Sequence, residues 1–270
     1  MFGFTDAGAL RRCGPVRVRG MRILAFDSAT SACSAAVWRD GEIAARRFEA
    51  MKRGQSEALI PMVIEVMNEA GWGFDSLDLL AVTIGPGAFT GVRIGLAAAR
   101  GMAIASGLPV VGVTTLEAVA HGLDAPARAG CSLVVAIDAK RTDFYVQSFA
   151  PDLAPLGPPR ALMPEAVAGF LPPGPVLIAG DGAPQLRAAL IARTDGAPAG
   201  AGEGARRSAA GAPQRIRFSP APGAPDAADV AALAGTRARE AAVGAMPRPL
   251  YLRPPDARLP ENGQGGGQEP

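Results

Sequence analysis

Residues 79–107 read LLAVTIGPGAFTGVRIGLAAARGMAIASG, and this stretch decides the fold. The run at 79–84 is apolar and partly β-branched, as is typical of a buried strand. Pro86 ends the strand because its ring fixes φ, and Gly85 and Gly87 accept backbone conformations that other residues resist. The stretch therefore predicts a buried strand and a sharp glycine loop, followed by a helix.

The predicted helix covers 92–106, an alanine-rich segment without proline. We expect the hydroxyl of Thr90 to cap its start, and Gly107 stands where a helix-terminating glycine belongs. The side chain of Arg93 is expected to tie the loop to neighbouring carbonyl or carboxylate groups. The loop is thus predicted to be structural, and its expected members are Gly85, Gly87, Thr90, Gly91 and Arg93.

One face of this predicted helix carries small or short apolar side chains, which would let another backbone approach closely. Gly101 lies on this face, although glycine costs a helix about 1 kcal/mol relative to alanine. Close packing would compensate for that cost, either inside the domain or against a partner, and spacing alone does not separate these alternatives. The residues of the face are Ile94, Ala98, Gly101 and Ala105.

A second helix is predicted at 56–70, where apolar residues cover a wide arc. A helix that lies on one sheet usually needs only a narrower apolar stripe. The surplus indicates burial on two sides, and we interpret the second side as a candidate subunit contact. The candidate contact residues on this helix are Leu59, Ile60, Val63 and Met67.

The order of the predicted elements indicates an α/β fold. Three strands form a meander, and helices then alternate with two further strands. The five predicted strands lie at 21–26, 34–38, 42–48, 79–84 and 108–113. This order matches one lobe of the two-lobe actin-like, or ribonuclease-H-like, ATPase fold (ASKHA). We therefore expect an N-terminal lobe at 21–120.

A C-terminal lobe is predicted at 121–255, because strand and helix patterns begin again near Cys131. Alanine, glycine and proline dominate 193–213, which predicts a flexible insertion. The leader at 1–20 contains scattered arginines and lacks the apolar core of a secretory signal. We expect this leader and the tail at 256–270 to be disordered.

Charge and cysteine content exclude several classes of protein. The 270 residues carry a formal net charge of +2, which gives no sign of a general nucleic-acid-binding protein. The three cysteines are too far apart in the sequence for a disulfide framework or a zinc site, and a reducing cytoplasmic setting fits them best. No metal site is expected, and no apolar run is long enough to span a membrane.

Three polar residues adjoin predicted strands where sugar-kinase and actin-like folds bind nucleotide phosphates or magnesium. Asp27 and Thr30 belong to the turn after the first strand, and Asp138 ends the first strand of the second lobe. Carboxylate and hydroxyl groups suit such contacts. The same residue types are common in ordinary strand-end turns, where they bond to their own backbone, and this second interpretation is the better supported one.

Five segments carry a resemblance to the TsaB (YeaZ) family of tRNA threonylcarbamoyladenosine biosynthesis. The glycine loop at 85–95, Gly-Pro-Gly-x-Phe-Thr-Gly-x-Arg-x-Gly, is the most specific of them. The other four support it by their order and spacing, and they lie at 23–30, 56–61, 137–141 and 249–253.

The resemblance implies an actin-like fold and the role of a non-catalytic scaffold. Such proteins pair with a paralogue, TsaD, which transfers threonylcarbamoyl to the adenosine beside the anticodon, and an ATPase, TsaE, joins the pair. Homodimers also occur in the family, and the helices at 56–70 and 91–106 resemble the surfaces used. The resemblance further implies tRNA binding through the whole complex and no cofactor in the isolated chain. It leaves ATP or ADP at the complex interface open.

Two positions depart from the family pattern, with Ala88 where serine is usual and Gln55 where histidine is frequent. An independent ATP-dependent enzyme of the sugar-kinase type remains an alternative function. A glycoprotease-like peptidase is a weaker alternative. The catalytic paralogue has a His-x-x-x-His metal pair, whereas the only histidine here is His121, which cannot form a multi-histidine site.

Overall fold

The computed structural model describes residues 20–195, 215–221, 223–241 and 245–253. The predicted tail lies outside these ranges, as does the predicted leader apart from Gly20. The predicted insertion also lies outside them, except for three residues at its start that belong to a helix.

The first sheet has five strands, with the order β3-β2-β1-β4-β5. The central strand β1 pairs antiparallel with β2 and parallel with β4. A tight turn joins β2 to β3, and both of its residues, Asp40 and Gly41, have positive φ, as a two-residue hairpin requires. The strands are β1 (Arg22–Asp27), β2 (Ala32–Arg39), β3 (Glu42–Ala50), β4 (Leu79–Thr83) and β5 (Val110–Val113).

The second sheet repeats this arrangement, with the order β10-β9-β6-β7-β8. Its first strand, β6, is central, with two antiparallel strands on one side and two parallel strands on the other. The strands are β6 (Ser132–Asp138), β7 (Phe144–Phe149), β8 (Arg160–Leu162), β9 (Val176–Ala179) and β10 (Ile216–Phe218). Two sheets of the same order confirm the predicted α/β, actin-like fold.

Seven α-helices occur in the described part of the chain. They are α1 (Gln55–Glu69), α2 (Phe89–Ser106), α3 (Thr115–His121), α4 (Ala125–Arg128), α5 (Pro164–Phe170), α6 (Ala183–Asp195) and α7 (Ala227–Arg237). Apolar residues of α1 and α2 pack on one face of the first sheet, against Leu24 and Phe26 of β1. Residues of α7 pack on the other face, against Ile23 and Ala25. Both faces of β1 are therefore buried. None of the helices in the described ranges is both apolar enough and long enough to cross a bilayer.

Two helices cross the predicted boundary between the lobes. The helix α3 ends at His121 and lies almost wholly in the predicted N-terminal lobe, but Leu116 and Val119 pack into the core of the second sheet. Conversely, α7 belongs to the predicted C-terminal lobe, but it covers the first sheet. The packing of these two helices therefore does not follow a single division of the chain at residue 120. Each apolar stripe is buried on the sheet beside it in space, not on the sheet closest in sequence.

The start of α2 differs from the sequence prediction. The helix begins at Phe89, so that Thr90 lies inside its first turn and the prediction of a Thr90 cap is wrong. Ala88 occupies the N-cap position, where it has no side chain that can accept a hydrogen bond. The predicted end is correct, because Gly107 follows the last turn with a φ of 71°.

Candidate functional site

The glycine loop packs directly on the turn between β1 and β2. A Cβ atom added at Gly87 or Gly91 would fall on the carbonyl oxygen of Ala29 or Ser28, respectively. The backbone N–H of Ala88 donates to the carbonyl oxygen of Ala29 (2.7 Å), and the hydroxyl of Ser28 donates to that of Gly91 (2.9 Å). The loop thus fixes the start of α2 against the turn, and only glycine permits so close an approach.

Two of the residues predicted to face a nucleotide are buried inside the first lobe. The Oδ1 atom of Asp27 accepts hydrogen bonds from the hydroxyl of Thr83 and from the backbone N–H of Ala29 (3.0 Å), whereas Oδ2 has no hydrogen-bond partner among the described residues. Burial raises the pKa of Asp27 to about 7. The Thr30 hydroxyl is also buried, and it has no hydrogen-bond partner in the part of the chain that the structure describes. Protein atoms cover both side chains, so the prediction that they face a nucleotide is wrong for this arrangement.

The third predicted residue, Asp138, lies between the lobes in a cluster centred on Lys140. The Lys140 ammonium is 3.3 Å from Oδ2 of Asp138, 3.4 Å from Oδ2 of Asp181 and 3.0 Å from the hydroxyl oxygen of Ser31. The backbone N–H of Asp138 also donates to Oδ1 of Asp181 (2.8 Å). Burial raises the pKa of Asp181. Ser31 belongs to the first lobe and both carboxylates to the second, so the lysine joins the lobes.

The Lys140 ammonium places a positive charge beside the two carboxylates, as a bound cation would. In actin-like and kinase active sites, aspartates of this kind are useful because they hold magnesium. Here the Lys140 ammonium pairs with both Asp138 and Asp181, and its single charge offsets part of their combined negative charge. Across the residues that the structure describes, no group of three or more histidine, cysteine, aspartate or glutamate side chains is placed to hold a metal ion.

The side chain of Arg93 contacts aromatic rings. Its guanidinium lies 3.7 Å from the centroid of the Phe89 ring, and its Nε donates to the hydroxyl oxygen of Tyr251 (3.0 Å). The expectation that Arg93 bonds to carbonyl or carboxylate groups is therefore wrong. Sequence spacing could not reveal the partner, because Tyr251 lies 158 positions away.

A C-terminal strap, residues 249–253, connects the two lobes beside the glycine loop. The backbone N–H of Leu250 donates to the carbonyl oxygen of Ile84 at the end of β4 (2.7 Å). The Arg253 guanidinium forms an ion pair of 2.9 Å with Asp143, between β6 and β7. The strap thus bonds to both lobes.

A cavity of about 540 Å³ lies between the strap, the glycine loop and the turn after β6. All charged residues of its lining are basic. The lining consists of Pro86, Gly87, Ala88, Phe89, Thr90, Val92, Arg93, Ala139, Lys140, Arg141, Tyr145, Leu250, Tyr251, Leu252 and Arg253. This cavity could not be predicted from the sequence, because its walls come from three distant segments.

The predicted contact residues on α1 divide into buried and exposed groups. Leu59, Val63 and Met67 belong to the core of the first lobe, so the prediction that they contact a partner is wrong. Ile60 remains 42% exposed, and Ile64 on the same helix is 50% exposed. The wide apolar arc therefore does have a second side that faces solvent.

On α2 the predicted small-residue face is largely open. Gly101 and Ala105 are exposed, and Ile94 and Ala98 are partly buried against the core. Ile104, which the sequence prediction missed, is 77% exposed. Its position three residues after Gly101 was the available signal. We call the exposed residues of the two neighbouring helices the apolar helix face, which consists of Ile60, Ile64, Gly101, Ile104 and Ala105.

The two cysteines in the described ranges are both buried. Cys33 is buried, and burial raises the pKa of its thiol to about 12. Cys131 is also buried. His121 joins α3 to α7 through its Nδ1 atom, which is 2.8 Å from Oδ1 of Asp229. These residues do not form the thiol–imidazole pair of a cysteine peptidase.

Comparison with known proteins finds relatives that are named for tRNA threonylcarbamoyladenosine synthesis. A family model described as TsaD, tRNA N6-adenosine threonylcarbamoyltransferase, matches residues 48–172. The tRNA threonylcarbamoyladenosine biosynthesis protein TsaB of Escherichia coli is 41% identical over 133 residues, which are 49% of this chain and 56% of that protein. TsaB of Haemophilus influenzae is 35% identical over 128 residues, or 47% and 53%. The chain thus spans about half the length of these curated relatives.

A solved structure extends the similarity over nearly the whole fold. It is a Pseudomonas aeruginosa protein described as similar to peptidase YeaZ, and it matches with a TM-score of 0.69 and 30% identity. The match covers 86% of this chain and 100% of the solved one. Together with the glycine loop and the repeated sheet order, this similarity shows that the chain belongs to the TsaB (YeaZ) family.

Proposed function

We propose that the chain acts in tRNA threonylcarbamoyladenosine biosynthesis as a non-catalytic subunit that pairs with a TsaD-like transferase. The observation that carries this proposal is the state of the cleft between the lobes. Asp27 is buried, and Lys140 pairs with both Asp138 and Asp181. The chain therefore keeps the architecture of an actin-like ATPase, but its carboxylates are not available to a metal-bound nucleotide.

The apolar helix face is the surface that we assign to pairing. Its isoleucines are exposed on two neighbouring helices, and Gly101 and Ala105 leave room for another backbone between them. Apolar side chains in the centre of an interface contribute most of its binding free energy. The TsaB names of the two curated relatives support this assignment, since a biosynthesis protein with a compensated cleft needs a catalytic partner.

The proposal extends to the rest of the complex. A TsaE-like ATPase joins the pair, tRNA binds through the assembled complex, and any ATP or ADP binds at the complex interface. In the absence of the transferase, the same apolar helix face supports a homodimer. This role in tRNA modification also fits the expected cytoplasmic location.

The direct test is co-purification with the TsaD-like transferase of the same genome. We expect the two chains to elute as one complex at micromolar concentration. Ile104→Asp should weaken the complex at least about tenfold, because it places a charge in an apolar contact. Ile43→Asp is the matched control, since Ile43 is exposed on β3, away from the apolar helix face. Two folded partners that do not associate would contradict the proposal.

The sugar-kinase alternative predicts a different result from the isolated chain. Turnover of ATP without any partner, abolished by Asp138→Ala, would favour that alternative. Turnover that appears only when the transferase is added would support the proposed accessory role.

A further inference from the structure

The cavity beside the strap is not used by the proposed pairing function, which rests on the outer sides of α1 and α2. Its volume of about 540 Å³ lies within the range of small-molecule sites, which is roughly 300–1,000 Å³. Its charged lining residues are Arg93, Lys140, Arg141 and Arg253, without an acidic residue among the lining. The cavity is therefore both large enough for an organic ligand and positive in charge.

Three of these cations, Lys140, Arg253 and Arg93, differ in the contacts that they already make. Lys140 is paired with two carboxylates, and Arg253 is paired with Asp143. Arg93, in contrast, has aromatic partners, and within the described ranges it forms no ion pair with a carboxylate. Its Nε is directed to the Tyr251 hydroxyl, and its two Nη groups form no hydrogen bond among the described residues. Arg93 is thus a cation with unused donor capacity.

The position of the Arg93 guanidinium is fixed before any ligand arrives. The Phe89 ring supports one of its faces at 3.7 Å, and the Tyr251 hydroxyl accepts from Nε at 3.0 Å. The two Nη groups of a planar guanidinium form a fork that matches the two oxygens of a carboxylate or phosphate. An arginine held in this way loses little side-chain entropy when it binds an anion.

The rest of the lining is mainly apolar and aromatic. Val92, Leu250 and Leu252 contribute aliphatic surface, and Tyr145 and Tyr251 contribute rings. An inorganic anion would leave this surface without a partner, whereas a flat apolar body would cover it. We propose that the cavity binds a small organic anion with a flat, apolar body, whose carboxylate or phosphate group is held by Arg93.

The test uses the full chain without any partner protein, so that its result is independent of the proposed pairing. The probes are 2-naphthoate and AMP as flat anions, 2-naphthalenemethanol and adenosine as their neutral counterparts, and inorganic phosphate as an anion without a flat body. Calorimetry should show binding of at least one flat anion with a Kd below about 1 mM, at least tenfold tighter than its neutral counterpart and than phosphate.

Variants connect that binding to the cavity. Arg93→Met should weaken the flat anion at least about tenfold, and Arg93→Lys should retain part of the affinity because it keeps the charge but loses the fork. Arg39→Met is the matched control, since Arg39 is an exposed arginine on β2, outside the cavity lining. Arg93 is itself exposed, and circular dichroism checks that each variant is folded.

Two results would overturn the inference. One is a flat anion that binds equally well to the unmodified chain and to folded Arg93→Met. The other is the absence of binding by every probe below about 10 mM. If that absence is accompanied by a loss of the transferase complex in Arg93→Met, the cavity accepts an acidic side chain of the partner instead of a small molecule.

Discussion

Asp27 is a carboxyl group at the end of β1 whose environment favours its neutral form. It is fully buried, and it receives hydrogen bonds from Thr83 and Ala29 on one oxygen only. Desolvation is the largest cause of its raised pKa, and the charge of Asp226 adds to it, whereas the hydrogen bonds act in the opposite direction. The sequence suggests that Asp27 is a candidate phosphate or magnesium ligand. In the structure it is instead a buried acid whose pKa is about 7.

This pKa gives a pH dependence of stability with a definite sign. Asp27 has a pKa of about 7 in the folded chain and 3.8 as the reference value, so the folded state binds more protons between pH 4 and pH 7. Its contribution to the free energy of unfolding therefore falls as pH rises through this window, by at most about 1.4 kcal/mol per pH unit. Asp27→Asn should remove that slope, which urea unfolding at pH 4.5, 6 and 8 measures.

The control for this prediction is Glu42→Gln, which removes an exposed carboxylate at the start of β3. This change should leave the pH slope of the unmodified chain as it was. If Asp27→Asn and the unmodified chain keep the same slope, Asp27 is not the group that titrates.

The helix α2 shows at the element scale that glycines of similar appearance in sequence have different roles. Gly91 lies in the first turn, where an added Cβ would fall on the carbonyl oxygen of Ser28. At Gly101 an added Cβ would have no atom within 4 Å. The first glycine permits the close approach of the glycine loop to the β1–β2 turn, whereas the second is not required by any contact described within this chain.

We therefore expect replacement by alanine to have opposite effects on stability at these two glycines. Gly91→Ala should lower the free energy of unfolding by about 1–3 kcal/mol, because the helix and the turn must move apart. Gly101→Ala should leave the chain as stable or raise that free energy by up to about 1 kcal/mol, because alanine is the better helix former. Thermal and urea unfolding of the two variants test this difference. Destabilisation by Gly101→Ala would mean that another element covers this face.

At the scale of the whole molecule, the lobes are joined by elements that each belong to one lobe in sequence and contact the other in space. The helices α3 and α7 exchange positions between the sheets, and the strap bonds to both lobes. Lys140 adds a polar link between Ser31 and the two carboxylates of the second lobe. These contacts between the lobes link the two halves of the molecule at several places.

Loss of the Lys140 charge tests this link. Lys140→Met should lower the free energy of unfolding at pH 7 by about 1 kcal/mol, a modest value because the ammonium is almost half exposed. The loss should be smaller at pH 3.5, because burial raises the pKa of Asp181 and its carboxyl group is increasingly protonated there. Lys52→Met removes an exposed lysine elsewhere and serves as the control. Equal losses at the two pH values would argue against charge compensation as the role of Lys140.

The sequence alone was sufficient for the local elements and for the fold class. The glycine loop, the helix end at Gly107 and the succession of strands and helices along the first lobe were predicted from local signals. These signals are backbone preferences and apolar periodicity, which act between residues close in the chain. These local signals also carried the resemblance to the TsaB (YeaZ) family. They correctly identified a wide apolar arc on α1. They did not show which side of this arc the core would cover.

Only the tertiary structure decided which polar and apolar groups are accessible. It buried Asp27 and Thr30, placed Lys140 between two carboxylates, covered Leu59, Val63 and Met67, and left Ile64 and Ile104 exposed. It also brought Tyr251 to Arg93 and so formed a cavity from three separate segments. Burial and charge compensation depend on neighbours that are distant in the chain, and the local pattern of residues does not contain their positions.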